Sequence, residues 1–455
     1  MPIAAARRRV RRTLAISLVL TLAGIGSAIP ATALAAAPTT RTTAQLTVLT
    51  GATVLDDSVT FSGRGYGHGV GLSQYGARGR ALDGQDAATI LAHYYPGTTL
   101  APIPASQIRV LVLSSFAATT AKPLVLYGRI TPWTIDGVAG TFPPDAKLRL
   151  IPTTTVTAGV GRTAWRIRVD SKAGAVLLNV VARGEVLVRA GGSRGRLQLW
   201  SKPGSYDTYR GVLRLRPATS KSVVSVVNDI ALELYLRGVV PAEMPVAWPA
   251  AALQAQAVAA RSYAARRLRP GVSYYDIVDD SRAQVYRGSL GEKTASTAAV
   301  IATARLVLKS GPSIANTLYH SSDGGATEDN ENVFTSPTGA LVAGPVSYLR
   351  GSPDRREDGT AYDSAAPYAT WSMRPYPRTQ LSAWFAAEPR TNVGDLVALD
   401  LTDRGGSGRL VSVTLIGSAG SRTVSGEVFR SILNAARPPA DPMLRSTLFD
   451  TSPIP

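Results

Sequence analysis

Between residues 103 and 227 apolar and polar positions alternate with a period of two, in short runs. Ile108-Arg109-Val110-Leu111-Val112-Leu113, Trp165-Arg166-Ile167-Arg168-Val169 and Val212-Leu213-Arg214-Leu215-Arg216 show the pattern. Turn residues separate the runs, as at Pro143-Pro144-Asp145 and Gly191-Gly192. Alternation places every second side chain on one face of a strand, so this stretch is predicted to be β-rich. Its outward positions are basic, which suits a solvated strand face or a sheet lying on an anionic polymer.

The period changes near residue 250. The run from Ala250 to Ala265 is mostly alanine, with high helix propensity, and Leu253, Ala257, Ala260 and Ala264 recur at three- and four-residue spacing on one face. Pro249 suits a first helical position, and Pro270-Gly271 stops the helix. Side chains this small permit close approach, so the helix is predicted to be a buried scaffold with its N-terminal dipole directed at the preceding segment. Further helices are predicted over 82–95, 292–308, 380–387 and 427–435, and strands over 397–401 and 411–416. The fold class expected is α+β, a helical core around the alanine-rich helix with a β-rich accessory sheet. Residues 208–450 would form the core and 101–207 an insertion. A glycine-rich segment at 60–100 would belong to the core, and 38–59, rich in Thr and Ala, would be a linker or an edge strand.

Immediately before the alanine-rich helix, Glu243 stands in a predicted turn walled by Pro241, Met244, Pro245 and Trp248. A carboxyl group held against apolar surface loses hydration of its charged form, and its pKa rises. That is the property a general acid needs near neutral pH. In a solvated loop the same residue would be an ordinary surface glutamate. Gln256, Arg261 and Tyr263 are polar members of the helix. An arginine in such a setting calls for a carboxylate or a substrate oxygen as acceptor, or else snorkels to the surface.

Two other segments carry chemistry. Gly63, Gly65, Gly67, Gly69 and Gly71 alternate through 63–71, which lets backbone pass close to a neighbour and leaves His68 in a tight loop. The lysine of a phosphate-binding loop is absent there. In 318–334 a dense polar loop contains Tyr319-His320-Ser321-Ser322-Asp323-Gly324-Gly325. His320 and its neighbouring serines invite a hydrolase reading, but no nucleophile-elbow pattern surrounds them.

Composition narrows the setting. There is no cysteine, which removes disulfides, thiol nucleophiles and thiolate metal sites. Arg7, Arg8, Arg9, Arg11 and Arg12 precede an apolar run over 14–25 and small residues over 31–35. That is the order of a secretory signal peptide (1–37), with a core short for a spanning helix. The expected product is exported, either soluble or loosely attached to an outer surface. The formal charge of +18 becomes +13 without those five arginines, scattered and free of nucleic-acid-binding signatures. Outside a cell such a surface meets anionic wall polymers or lipid headgroups rather than nucleic acid.

The segment from Tyr235 through Leu236-Arg237-Gly238-Val239-Val240-Pro241-Ala242-Glu243-Met244-Pro245 to Ala264 resembles the core of the stage II sporulation protein D family, which includes the LytB amidase enhancers. Tyr319 through Gly325, with Glu328 and Asn332, resembles its second signature, and Gly67 to Ala77 with Tyr94-Tyr95-Pro96-Gly97 its third. The resemblance covers about 60–97 and 208–450. It implies a lytic transglycosylase that cuts peptidoglycan strands stripped of their stem peptides, with Glu243 as the single catalytic acid/base. Arg261, Gln256, Tyr263, Gln284, His68, His320, Ser321 and Ser322 would then hold the sugar or orient Glu243. No cofactor is implied. Val278, Arg282 and Ala283 stand where sporulation relatives carry zinc ligands, so no metal is expected. The alternative is a non-catalytic wall-binding module that stimulates a cell-wall amidase. The Gly-His-Gly segment, which normally follows a stretch like 424–449, here opens the mature chain. A circular permutation would account for that, and it predicts that 61–75 packs beside 444–449.

Overall fold

The computed structural model describes residues 51–157, 160–182, 184–219 and 221–451, apart from the side chains of 154–162. The signal-peptide reading over 1–37 and residues 38–50 lie outside these. Eight α-helices are present among the described residues. They are α1 (Gln74–Leu82), α2 (Ala87–Tyr94), α3 (Leu232–Glu243), α4 (Ala250–Ala265), α5 (Thr294–Ala302), α6 (Asn330–Val333), α7 (Arg378–Ala386) and α8 (Gly426–Ala436).

The alanine-rich run forms α4, which packs against α1, α2, α3 and α5. It is buried on nearly every side rather than on one face: Ala252, Ala255, Val258, Ala259 and Ala265 are covered as well as Leu253, Ala257, Ala260 and Ala264. Alanine makes this possible, because neighbouring helices approach to backbone distance without leaving voids. Two helix predictions need correction. The 82–95 pattern breaks at Asp86, which caps α2 by accepting the Thr89 N–H at 2.7 Å. The 292–308 pattern stops at Ala302; Arg305 turns the chain at φ +62°, and Leu306–Ser310 becomes a strand paired with Thr99–Pro102.

The alternating region supplies all but one strand of two six-stranded sheets, Ile277–Val278 being the exception. One runs Val176–Ala182, Val160–Asp170, Lys147–Thr157, Leu124–Arg129, Arg196–Gln198, Thr208–Tyr209; the other runs Ile277–Val278, Gln107–Ala117, Val223–Ala231, Val212–Pro217, Val186–Ala190, Trp133–Ile135. Leu126, Leu148 and Ile167 of the first share one core with Val110, Leu213 and Val226 of the second, and with α4. The 101–207 segment is therefore not a separable insertion. Its strand Gln107–Ala117 pairs with Val223–Ala231, which runs without a break into α3.

A second core gathers Phe61, Phe385, Phe429 and Phe449 beneath α7, α8 and a four-stranded sheet. Thr53–Val54 and Ser58–Val59 are edge strands of this part, so the described end of the 38–59 stretch is strand, not linker. Ser62–Arg64 pairs antiparallel with Phe449–Asp450, and the Gly67 N–H donates to the Arg445 carbonyl at 3.1 Å. Segments 61–75 and 444–449 thus lie side by side. Among the described residues no helix is long and apolar enough to cross a membrane.

Candidate active site

Glu243 is the last residue of α3, not a turn residue. Pro241 sits inside the final turn, where it removes the one backbone bond its N–H would have given the Arg237 carbonyl, and the Met244 N–H closes the helix on the Val240 carbonyl at 2.9 Å. A turn earlier, Gly238 lets another strand of backbone lie against the helix. A Cβ there would stand 2.6 Å from the Gly288 carbonyl oxygen and 2.7 Å from the Tyr286 ring. In the space left free, the Arg287 N–H donates to the Gly238 carbonyl at 3.1 Å. The same contact brings the Val285 N–H to Glu243 Oε1 at 3.0 Å.

Glu243 is half-buried, and burial holds its carboxyl above the usual carboxylate range. The Val285 N–H, the Tyr319 hydroxyl and the Arg287 charge act in the other direction without cancelling the shift. Tyr235, Tyr263 and Tyr319 all sense its charge. The desolvating surround thus includes a tyrosine cluster. Trp248 instead packs edge-on to Tyr75 of α1 at 4.7 Å, with the Arg78 guanidinium 5.8 Å from its ring.

Gln284 organises that cluster. It is fully buried; its Oε1 accepts from the Tyr235 hydroxyl at 3.1 Å, and its Nε2 donates to the Ala260 carbonyl at 3.2 Å and the Tyr319 oxygen at 3.0 Å. Because Tyr319 accepts from Gln284, its own hydrogen is free for Glu243. Tyr319–His320 is a two-residue strand paired in parallel with Leu72–Ser73. Strand alternation sends Tyr319 toward Glu243 and His320 the other way. The His320 ring is buried, its Nδ1 3.3 Å from the Val70 carbonyl and its centroid 5.3 Å from that of His68.

His68 Nδ1 accepts the Val70 N–H at 3.1 Å, so the neutral ring carries its hydrogen on Nε2 and donates to the Tyr319 carbonyl at 3.1 Å. Burial, assisted by the Arg409 charge, pushes His68 down to about 4, and burial takes His320 well below its ordinary value. Both rings are neutral near pH 7. They hold the strand that presents Tyr319.

Several expected substrate contacts are turned inward. Arg261 is wholly buried, with Nε and Nη2 on the two oxygens of Glu233 at 2.8 Å each. Its remaining hydrogens go to Val300 O at 3.1 Å and Leu306 O at 3.2 Å. The acceptor the sequence calls for is a carboxylate of the fold, and every donor is occupied. Gln256 is fully buried against Gln74, whose Nε2 donates to its Oε1 at 3.3 Å, and Ser322 is fully buried too. Arg261, Gln256, Gln284, His320 and Ser322 therefore cannot touch a polymer in this conformation. Tyr263, Ser321 and His68 stay partly exposed; Tyr263 lies under the Arg267 guanidinium at 3.2 Å, and the Ser321 carbonyl accepts the Tyr75 N–H at 2.9 Å.

Sequence reasoning missed the groups that do face Glu243: the Val285 N–H, Tyr319 and Arg287. The alternation of Tyr319 and His320 was the available signal for one of them. Nothing local in the sequence marks the other two, which depend on the close packing at Gly238.

Residues 220–309 match the model of the family described as Stage II sporulation protein, SpoIID. A Bacillus subtilis (strain 168) protein named amidase enhancer is 47% identical over 68 residues, 13% of this chain and 10% of that protein. The stage II sporulation protein D of the same organism is 48% identical over 44 residues, 10% of this chain and 13% of that one. An uncharacterized protein of Brachyspira hyodysenteriae is 34% identical over 128 residues, 28% of this chain and 34% of that one. The aligned stretches thus span about a third or less of each relative. Residues 220–309, which carry α3, α4 and α5, are thus similar to the SpoIID family.

Proposed function

We propose that this is an exported peptidoglycan-active protein, a lytic transglycosylase that cleaves peptide-stripped glycan strands with Glu243 as sole acid and base. The observation that carries the reading is the state of Glu243. It is half-buried at a helix end, held above the carboxylate range by burial, and aimed by the Val285 N–H and Tyr319. Protonated, it donates to the glycosidic oxygen and the bond to the anomeric carbon breaks. As carboxylate, it takes the proton of the muramyl sugar's own primary hydroxyl while that oxygen closes on the anomeric carbon, which restores the acid. No water attacks, so no second carboxylate at glycosidase spacing is needed. Tyr319 and Arg287 stabilise the charge on Glu243 between the two transfers. Export rests on the arginine-led, apolar N-terminal segment, and the basic composition suits anionic wall polymers. The chain order is read as a circular permutation, supported by the pairing of Ser62–Arg64 with Phe449–Asp450.

A second reading is favoured by one comparison, the 47% identical stretch in the amidase enhancer. On that reading the protein binds wall glycan and stimulates a cell-wall amidase without cutting sugar. Purified peptide-free strands decide between them. Anhydro-muramyl ends made by wild type and lost in Glu243→Gln support the transglycosylase. Intact strands, with amidase stimulation equal in the two proteins, support the enhancer.

A further inference from the structure

A cavity of about 760 Å³ opens in the sandwich, lined by none of the residues assigned to Glu243. It lies where Gln107–Ala117 turns at Ser115 (φ +49°) into the 118–123 connection that leads to Leu124–Arg129 of the other sheet. The floor is apolar, made by Leu113, Phe116, Val125 and Ile151. Lys122, Lys147, Arg149 and Lys202 line it, and no carboxylate does. Arg149 is neutralised by Asp170, and Lys202 by Asp279. Lys122 and Lys147 form no ion pair among the described residues; their ammonium groups stand over Phe116 and Tyr127, each 5.9 Å from the ring centre. At the rim Trp200 is 60% exposed, edge-on to Tyr127 at 5.9 Å.

A large exposed indole beside unpaired cations is suited to recognition of a ring that carries an acid. The C–H face of a pyranose ring covers an indole, and an acid on that sugar finds the ammonium groups. A polyol phosphate offers the charge but no ring. A muramyl unit stripped of its peptide offers both, because its lactyl group ends in a free carboxylate.

The groove is also joined to the Glu243 site. Lys202 bonds Asp279, the Asp279 carbonyl accepts the Tyr286 N–H at 3.1 Å, and the preceding Val285 N–H donates to Glu243. We propose that this groove is a distal subsite for the glycan strand, with Trp200 stacked on a sugar ring and Lys122 and Lys147 holding lactyl carboxylates. The proposal rests on the reading of Glu243 as a glycan site, and extends that site across the sandwich.

The test is binding of peptide-free glycan strands to the Glu243→Gln full chain, titrated calorimetrically at low salt. Trp200→Ala is expected to weaken binding about tenfold, the scale of one well-placed contact. Lys122→Ala with Lys147→Ala is expected to weaken it by a similar factor, and that loss disappears for strands whose lactyl carboxylates have been amidated. All three residues are at or near the surface, and thermal melting of each variant verifies the fold. Unchanged affinity in both variants overturns the proposal. So does a polyol-phosphate polymer that binds as tightly as the glycan with the same dependence on these residues. A wild type that binds strands through Trp200 but never cuts them supports the subsite while ending the transglycosylase reading. Cleavage with unaltered affinity in Trp200→Ala does the reverse.

Discussion

Replacing Arg261 by Met separates two accounts of that residue. As a sugar clamp its loss raises KM and leaves the fold alone. As the buried partner of Glu233 its loss destabilises the protein and leaves the strand-binding surface intact. The guanidinium is fully enclosed, while the Glu233 side chain is 31% exposed, so the orphaned carboxylate regains some water. Removing one member of a buried pair costs about 3–5 kcal/mol, and that hydration puts the expected loss near the lower end, about 3 kcal/mol. For a domain of this size a kcal/mol moves the melting temperature by about 2 °C, which gives a drop of about 6 °C. The carbonyls of Val300 and Leu306 lose their donors and add to it. Calorimetry and urea midpoints measure the stability, and titration with glycan strands measures the affinity, at a temperature where the variant is folded. Adding Glu233→Leu should recover much of the loss, because no charge is then left unpaired. An Arg261→Met protein that melts like wild type but binds strands tenfold more weakly would refute the structural account.

Three other outcomes follow from the same geometry. Tyr319→Phe removes a hydroxyl that favours the charged form of Glu243, so the proton is held more tightly and the alkaline limb of the pH–rate profile moves up; a limb that stays or moves down contradicts the assignment. His68 is neutral when folded and ionises at about 4 rather than 6.5. Below 6.5 the unfolded chain therefore takes up a proton that the folded chain refuses, and stability should fall from there to about pH 4, less steeply in His68→Asn, as unfolding midpoints across that range will show. Gly69 has φ +82°, and a Cβ on it would stand 2.3 Å from Arg409 Nε, so Gly69→Ala should cost about 1–3 kcal/mol in urea unfolding.

Local chemistry was legible in the sequence where the cause is local. Alanine propensity marks α4, and period-two alternation marks several strands of both sheets. The structure half-buries Glu243, but from another source than the sequence suggests. Proline spacing suggested a turn of Pro241, Pro245 and Trp248; in the structure α3 continues through Pro241, and tyrosines from three separate segments crowd the carboxyl. Arg261 shows the same limit. The sequence states that it needs an acceptor but cannot choose between a substrate and Glu233, 28 residues away, because that choice is made by how α3 crosses α4. Pairing across residue 207 is hidden from the sequence for a related reason. Strand pairing is non-local, and Gln107–Ala117 finds its partners at Val223–Ala231 and Ile277–Val278.

The glycine-rich segment at the start of the described chain ties the site to the second core. Its Ser62–Arg64 strand is held by Phe449–Asp450, and Gly69 packs on Arg409, whose guanidinium donates to the Asp323 carbonyl at 2.8 Å and the Ala326 carbonyl at 3.2 Å. A few residues on, Leu72–Ser73 pairs with Tyr319–His320, and His68 holds the Tyr319 carbonyl. Glu328 closes the junction from the other side, accepting the Ser407 N–H at 2.9 Å and the Gly406 N–H at 3.1 Å. The strand that presents Tyr319 to Glu243 is therefore clamped between α4 and the second core by segments more than 300 residues apart. Such an arrangement depends on which segments meet, not on the order in which the chain visits them. A carboxyl whose proton affinity is set by burial needs that rigidity, since a mobile Tyr319 strand would admit water and return Glu243 to the behaviour of a surface acid.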